Sequence, residues 1–163
     1  MWIEPQRRGI IPLDGFHISH SLRRVIRKNV FEVRFDTAFR DVMLNCADRA
    51  ETWINDQILD AYCDLFDLNL AHSVECWKGG TLAGGLYGVS LGGAFFGESM
   101  FSRETNASKV ALCALVERLK AGGYALLDTQ FLTSHLATFG GVEIPQEEYL
   151  LHLKRALSIK AIF

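Results

Sequence analysis

Two polar side chains stand two residues apart at the end of an apolar segment, in the order Leu127-Asp128-Thr129-Gln130. Side chains at positions i and i+2 of a strand point to the same face. If a strand through Leu127 continues to Gln130, Asp128 and Gln130 share a face and Thr129 points away. The segment therefore predicts a carboxylate and an amide together at the end of a strand in an apolar sheet. From these residues alone, a polar pair that caps backbone groups is the favoured interpretation.

A second candidate segment is Gly97-Glu98-Ser99-Met100-Phe101. Here an apolar strand runs into a glycine and an acid, and a Met-Phe pair follows. Glycine inside a strand indicates a bulge or the close approach of another chain or a ligand to the backbone. Glu98 is therefore a candidate functional acid, whereas Met100 and Phe101 fit a binding pocket and an ordinary core equally well.

Helices and strands must position these side chains, and the hydrophobic pattern predicts both. Helices are expected to begin at Ser21, Asp36, Asn55, Asn106 and Pro145. Strands are expected over 73–77, 81–89, 94–97 and 124–128. The terminal helix is expected to bury Tyr149, Leu150, Leu153 and Leu157. Helices followed by a meander, and then by strand, helix, strand and helix, predict a mixed α/β fold.

The first predicted helix carries a basic face, formed by Arg23, Arg24, Arg27 and Lys28. Residues 1–40 hold eight basic and four acidic side chains, a net charge of +4, so the rest of the chain carries −6. A local basic patch can hold a phosphate backbone, although a solvated face on a packed helix is the simpler interpretation. Trp53, at a loop tip, is likewise more often a core residue than a platform for a nucleobase.

Composition limits the number of domains, the location and the partners that we expect. The 163 residues, 49% hydrophobic and 22% charged, fit one domain, 1–163, with a helical N-terminal part (about 1–70) and a sheet-rich part (about 71–163). No apolar run approaches the roughly 20 residues that span a bilayer, and no export signal is recognisable, so we expect a cytoplasmic protein without membrane association. The net charge of −2 argues against a protein that coats DNA.

Neither a metal nor a cofactor is expected. Four dispersed cysteines indicate free thiols in a reducing compartment. His17 and His20 supply only two ligands, and hydrogen-bonded or surface histidines are the simpler interpretation. The glycine-rich stretches match neither the phosphate-binding nor the dinucleotide-binding motif.

Segments along almost the whole chain resemble the leucyl/phenylalanyl-tRNA protein transferase family. In the N-terminal part they are Leu13, His17-Ile18-Ser19, Ser21-Leu22-Arg23-Arg24 and Thr52-Trp53-Ile54. In the rest of the chain they are His72-Ser73-Val74-Glu75, Gly84-Gly85-Leu86-Tyr87-Gly88, Phe96-Gly97-Glu98-Ser99-Met100-Phe101-Ser102-Arg103, Ala107-Ser108-Lys109, Leu127-Asp128-Thr129-Gln130, His135-Leu136-Ala137-Thr138-Phe139-Gly140 and Glu143-Ile144-Pro145. A match of this density is specific to the family rather than to a fold.

The resemblance implies an acetyltransferase-like (GNAT) fold and an enzyme that moves Leu or Phe from aminoacyl-tRNA to the N-terminal Arg or Lys of a protein, which creates a degradation signal. The expected partners are therefore charged tRNA and such proteins, and we expect a monomer. Family members usually carry a further N-terminal region before the point that matches Trp2, so we interpret the chain as a short form.

The resemblance also implies roles for individual residues. Asp128 and Gln130 match the catalytic pair, and Glu98 matches an active-site acid suited to a cationic acceptor. The basic helix face becomes a candidate for the tRNA backbone, and Trp53 for stacking near the 3′ adenosine. The remaining positions assigned to substrate binding are Tyr62, Leu86, Phe95, Gly97, Met100, Leu115, Leu127 and Thr133.

Two other functions stay open. An acyltransferase that uses acyl-CoA would need a loop of free backbone N–H groups before a helix to cradle the pyrophosphate. A non-catalytic relative would keep the fold and bind RNA ends or N-terminal peptides.

Overall fold

The computed structural model describes residues 4–49 and 51–163, which form the following helices and strands. The helices are α1 (His20–Arg27), α2 (Phe39–Ala47), α3 (Asp56–Asp67), α4 (Ala107–Ala121), α5 (Ser134–Ala137) and α6 (Gln146–Leu157). The strands are β1 (Arg7–Ile10), β2 (Glu32–Phe35), β3 (Ala71–Lys78), β4 (Thr81–Leu91), β5 (Ala94–Ser102), β6 (Leu126–Gln130) and β7 (Val142–Pro145).

These strands form a seven-stranded mixed sheet with the order β2-β3-β4-β5-β6-β1-β7. β5 and β6 run parallel, with Phe95 opposite Leu127 and Phe96 opposite Asp128. β1 is antiparallel to both of its neighbours, β6 and β7. Because β1 comes from the start of the chain and β6 and β7 from its end, this part of the sheet joins residues far apart in sequence.

The chain divides into two compact units. The first unit comprises Met1–His17, Ser90–Gly97 and Val116–Phe163. Its core gathers apolar residues from β1, β5, β6, β7 and α6: Ile10, Ala94, Leu126, Ile144, Tyr149 and Ala156. The candidate residues Asp128 and Gln130 belong to this unit.

The second unit comprises Ile18–Val89 and Glu98–Leu115. One apolar cluster of this unit joins α2, α3, β3 and β4 through Phe39, Val42, Met43, Cys46, Ile54, Leu59, Ala71 and Tyr87. Its aromatic members contact one another: the Phe39 ring lies edge-on to Tyr87, with 5.9 Å between centroids, and stacks on Phe66 at 4.8 Å. The candidate residues Glu98, Trp53 and Tyr62 belong to this unit.

Most helix starts agree with the sequence patterns. Asn55 caps α3, because its side chain accepts a hydrogen bond from Ile58 N at 2.9 Å, as predicted. α1 is capped by Ser19 rather than by Ser21. The prediction that Asp36 begins a helix is wrong: Asp36 has φ +58°, its carboxylate binds Ser73 N and His72, and α2 begins only at Phe39.

The prediction for α6 is correct in part. Tyr149 is buried and Leu153 packs against the core of the first unit, but Leu150 and Leu157 are about half exposed. The strands β1, β2 and β7, each of four residues, were not predicted, and two of them lie in the part of the chain expected to be helical. The interpretation of 1–163 as a single domain stays a prediction.

Within the described ranges, no helix is long and apolar enough to cross a membrane. Nor do the side chains described there include a group of three or more His, Cys, Asp or Glu that could hold a metal ion. The four cysteines are free thiols.

Candidate active site

Asp128 is the most heavily bonded acid of the first unit. Its side chain is fully buried, and Oδ2 accepts from Arg8 Nη2 at 2.8 Å and from the Tyr149 hydroxyl at 2.5 Å. Oδ1 accepts from the backbone N–H of Gln130 at 2.6 Å, and Arg8 Nε lies 3.1 Å from both oxygens. A buried carboxylate without a counter-charge is strongly unfavourable, and here a guanidinium supplies that charge.

Three separate elements bring these groups together. β1 lies between β6 and β7, with Ile10 opposite Asp128 and Arg8 opposite Ile144. α6 starts directly after β7, with Pro145 at its cap, which sets Tyr149 in its first turn. The guanidinium carbon of Arg8 lies 5.1 Å from the centre of the Tyr149 ring, an arrangement that allows a cation–π contact. The sheet order is therefore what assembles this cluster.

The same cluster fixes the protonation of two of its members. Burial lowers the pKa of Arg8, but the hydrogen bond and charge of Asp128 outweigh it, so the pKa of Arg8 is raised. Burial and then the contact with Asp128 raise the pKa of Tyr149 far above its usual value. At neutral pH Arg8 is therefore a cation and the Tyr149 hydroxyl keeps the proton that it donates.

Gln130 has a left-handed backbone, with φ +66°. A non-glycine residue in this region costs about 1–2 kcal/mol, and the hydrogen bond from its N–H to Asp128 offsets part of this cost. β1 packs closely behind the turn, because a Cβ on Gly9 would come within 2.6 Å of the carbonyl carbon of Phe131. With this left-handed backbone, the side chain of Gln130 does not follow the regular alternation of a strand. The contact that joins the two residues is the hydrogen bond from the backbone N–H of Gln130 to the Asp128 carboxylate.

Glu98 and Tyr62 form the corresponding cluster of the second unit. Glu98 lies on β5 and is half-buried, and its carboxylate makes a hydrogen bond with the Tyr62 hydroxyl. Burial and then Glu98 raise the pKa of Tyr62 to about 12, so Tyr62 is the donor. The Trp53 ring lies 6.2 Å from that of Tyr62 and is 50% exposed. An exposed indole beside a tyrosine is therefore available to a planar ligand.

Arg49 holds β5 in the same unit. Its Nη2 donates to Ser99 Oγ and to the Met100 carbonyl, each at 3.0 Å, and its Nε donates to the Cys46 carbonyl at 2.8 Å. These bonds tie the end of α2 to the strand that carries Glu98 and Met100. The sequence does not mark Arg49, Arg8 or Tyr149 as site residues, because no local pattern marks an arginine or a tyrosine that reaches a distant partner.

The other candidate binding residues differ in exposure. Met100 and Gly97 are half-buried, so a ligand can reach them. Thr133 is exposed and caps α5 by accepting from Leu136 N at 3.1 Å. Four apolar positions assigned to substrate binding are buried, at 3% exposure or less: Leu86, Phe95, Leu115 and Leu127. The Phe95 ring stacks on Phe163 with 5.7 Å between centroids, so its packing alone would place it in the core.

The start of α4 bears on the acyl-CoA alternative. Arg103 N and Glu104 N both donate to the Ala83 carbonyl, at 2.8 and 3.2 Å. Ala107 N donates to the Glu104 carbonyl, and Ser108 N to Ser102 Oγ. A pyrophosphate would need free N–H groups at such a turn. Because these four are already engaged, the loop is poorly suited to acyl-CoA.

The predicted basic face is present on the surface. Ser19 caps α1, whose apolar contact with the core is made by Leu22. The four basic residues Arg23, Arg24, Arg27 and Lys28 are all exposed. The helix therefore presents cationic side chains to solvent, where a polyanion can reach them.

The sequence of the chain is similar to that of a known protein family. A family model described as leucyl/phenylalanyl-tRNA protein transferase matches residues 10–154. The protein of that name from Herpetosiphon aurantiacus is 58% identical over 163 residues, covering 99% of this chain and 85% of the relative. That from Rhodospirillum rubrum is 57% identical over 166 residues, covering 99% of this chain and 78% of the relative.

Two solved structures share the fold at low sequence identity. L-PGS from Bacillus licheniformis aligns with a TM-score of 0.58 and 11% identity, over 95% of this chain and 66% of that chain. An aminoglycoside acetyltransferase from a soil metagenomic sample aligns with a TM-score of 0.50 and 10% identity, over 83% of this chain and 91% of that chain. The mixed sheet and these likenesses define an acetyltransferase-like (GNAT) fold, as predicted.

Among proteins with this fold, the relatives found by sequence point to one family. The family model covers most of the chain, and both relatives are more than half identical to it over nearly its whole length. The chain belongs to the leucyl/phenylalanyl-tRNA protein transferase family, a family of aminoacyltransferases, which confirms the resemblance drawn from the sequence.

Proposed function

We propose that this protein transfers Leu or Phe from aminoacyl-tRNA to the α-amine of a protein whose first residue is Arg or Lys. The observation that carries the proposal is the end of β6, where the buried, charge-paired Asp128 holds the backbone of Gln130 in a left-handed turn. Family membership supports both the donor and the acceptor class.

The reaction needs alignment more than activation. The acceptor nitrogen attacks the carbonyl carbon of the aminoacyl ester, a C–N bond forms, and the C–O bond to the ribose breaks. The ribose oxygen leaves with the proton that the nitrogen gives up. Because the ester is already activated, holding the two reactants together supplies much of the rate, with effective molarities up to about 10⁵–10⁸ M.

In this proposal Gln130 is the group that meets the attacking amine. An amide oxygen is a weak base, but it can accept a hydrogen bond from the amine and so orient the nitrogen lone pair. Asp128 has no room for a substrate, because both of its oxygens are occupied by Arg8, Tyr149 and Gln130. Its role is to hold Gln130, and its negative charge polarises that residue.

Glu98 supplies the negative charge that a cationic acceptor side chain requires. The Tyr62 hydroxyl donates to this carboxylate and thereby fixes its orientation. Trp53, half exposed beside Tyr62, offers a face on which the terminal adenine can stack. The exposed cations of α1 provide contacts for the tRNA backbone, which fix position without reading sequence.

Met100 is the member of the apolar set that a Leu or Phe side chain can touch directly, and Gly97, on the same strand, is also half-buried. The proposal also assigns substrate binding to Leu86, Phe95, Leu115 and Leu127, which are buried. A thioether packs against a branched aliphatic chain and an aromatic ring alike, which suits a pocket for both. The proposal also assigns substrate binding to Thr133, and it includes a monomer without cofactor and a cytoplasmic location, where charged tRNA is present.

A panel of donors and acceptors tests the proposal. Labelled Leu, Phe and Val on tRNA are offered to peptides that differ only at the first residue: Arg, Lys, Ala or Glu. We expect transfer of Leu and Phe to the Arg and Lys peptides. Val should be used roughly 10- to 200-fold less well than Leu, because one missing methylene in an apolar pocket is worth only about 1–3 kcal/mol. Equal use of the Glu peptide, or transfer from an acyl-CoA instead, would contradict the proposal.

A further inference from the structure

Arg8 makes the closest charged contact with Asp128. Both its Nε and its Nη2 donate to the carboxylate, which gives the fork geometry that holds a carboxylate plane in one orientation. The Arg8 side chain is 25% exposed, while Asp128 is 0% exposed. Arg8 therefore reaches inward from the surface and pairs with an acid that has no access to solvent.

The neighbouring Arg7 provides a comparison within the same strand. Its Nη2 donates to the Glu143 carbonyl at 2.9 Å, and its side chain is more than half exposed. Successive side chains of a strand point to opposite faces, so Arg7 has no path to Asp128. Two adjacent arginines of β1 thus differ in one respect that matters here: contact with Asp128.

We infer that Arg8 is a positioning residue for aminoacyl transfer. It fixes the Asp128 carboxylate, the carboxylate fixes the N–H of Gln130, and the left-handed backbone of Gln130 aims its side-chain amide. This inference rests on the proposed role of Gln130. Lysine at position 8 would keep the positive charge but lose the planar fork, so the carboxylate could rotate and release Gln130.

The test compares Arg8→Lys with Arg7→Lys in single-turnover transfer of Phe to an Arg-starting peptide. A displacement of about 1 Å at a reacting group can cost roughly 100-fold in rate, so we expect a loss of about 10- to 100-fold for Arg8→Lys. KM for the charged tRNA, measured in a parallel steady-state assay, should not change, because Arg8 is not part of the proposed tRNA surface. Arg7→Lys should transfer at the wild-type rate.

A double variant separates positioning from a merely structural role. If Arg8 acts through Gln130, adding Arg8→Lys to Gln130→Ala should cause no further loss of rate. A second loss of similar size, or a rise in KM together with the fall in rate, overturns the inference. Should Arg8→Lys fold poorly, Tyr149→Phe removes one other donor to Asp128, and it should show a smaller loss with the same dependence on Gln130.

The result for Gln130→Ala alone separates the proposed role of Gln130 from the inferred role of Arg8. Wild-type transfer by Gln130→Ala would remove the proposed role of Gln130 and, with it, the role of Arg8. A slow Gln130→Ala together with a fast Arg8→Lys would leave the proposed function in place and contradict only the inference about Arg8.

Discussion

Replacing Asp128 with Asn should impair both stability and transfer, whereas Gln130→Ala should impair transfer alone. Asp128→Asn changes the shape of the side chain very little, but it replaces one acceptor oxygen with a donor NH2 group. If Oδ2 is replaced, Arg8 Nη2 and the Tyr149 hydroxyl lose their acceptor. If Oδ1 is replaced, Gln130 N loses its own acceptor and Arg8 Nε loses one of two.

The size of the effect follows from these lost contacts. A hydrogen bond to a charged group contributes about 1.5–3 kcal/mol, and breaking a buried ion pair from one side costs about 3–5 kcal/mol. Arg8 is one quarter exposed and can recover some solvation, so we take the lower end, about 3 kcal/mol. For a chain of this length, each 1 kcal/mol shifts Tm by about 2–4 °C, so Tm should fall by roughly 6–12 °C.

Thermal unfolding and single-turnover transfer, measured on the same preparations, check this prediction. Asp14→Asn is the matched control, because it makes the same chemical change at an exposed acid of the first unit and should leave Tm unchanged. A Tm for Asp128→Asn within about a degree of the wild type would contradict this prediction, since it would mean that the four donors around Asp128 contribute nothing measurable.

Three further predictions concern the second unit. Glu98→Gln should weaken the use of Arg- and Lys-starting acceptors while leaving the binding of a Phe-adenosine analogue unchanged, and loss of the analogue instead would assign Glu98 to the donor. Neutralising Arg23 and Arg24 should flatten the slope of log affinity for charged tRNA against log salt by about one to two units, whereas neutralising Lys154 and Arg155, exposed on α6, should not. A maleimide at neutral pH should label only Cys63 in the folded protein, because Cys46, Cys76 and Cys113 are buried. Burial also raises the pKa of Cys46 to about 11 and the pKa of Cys76 to about 12. Labelling of Cys46 before unfolding would contradict the packing around α2.

Local signals predicted those features that depend on nearby residues. Asn55 precedes an apolar-periodic segment, and its side chain caps the helix that follows. Asp36 gives the same signal, but its carboxylate binds His72 and Ser73, more than thirty residues away. A capping side chain and a partner brought by the fold compete for the same oxygens, and the sequence does not rank them.

The candidate site also contains residues that the local sequence marks and residues whose contacts depend on distant parts of the chain. Asp128, Gln130 and Glu98 are short-range features that a family resemblance can mark. The difference in contacts between Arg7 and Arg8 depends on β1 lying between β6 and β7, a pairing across more than one hundred residues. Strand alternation shows that these two arginines face opposite sides, but it does not show which side is the interior. The left-handed backbone of Gln130 also depends on this distant pairing, through Asp128 and the turn packed against Gly9.

The most direct test of the proposed role of Gln130 is the single-turnover rate of Phe transfer to an Arg-starting peptide by Gln130→Ala, with donor and acceptor both saturating. Because proton handling by a positioned group contributes about 10²–10⁴-fold, we predict a rate at least about 100-fold below that of the wild type. Affinity for the Phe-adenosine analogue and Tm should both be unchanged. A rate within about twofold of the wild type, from a variant that folds and binds normally, would contradict the proposal that Gln130 orients the attacking amine of the acceptor.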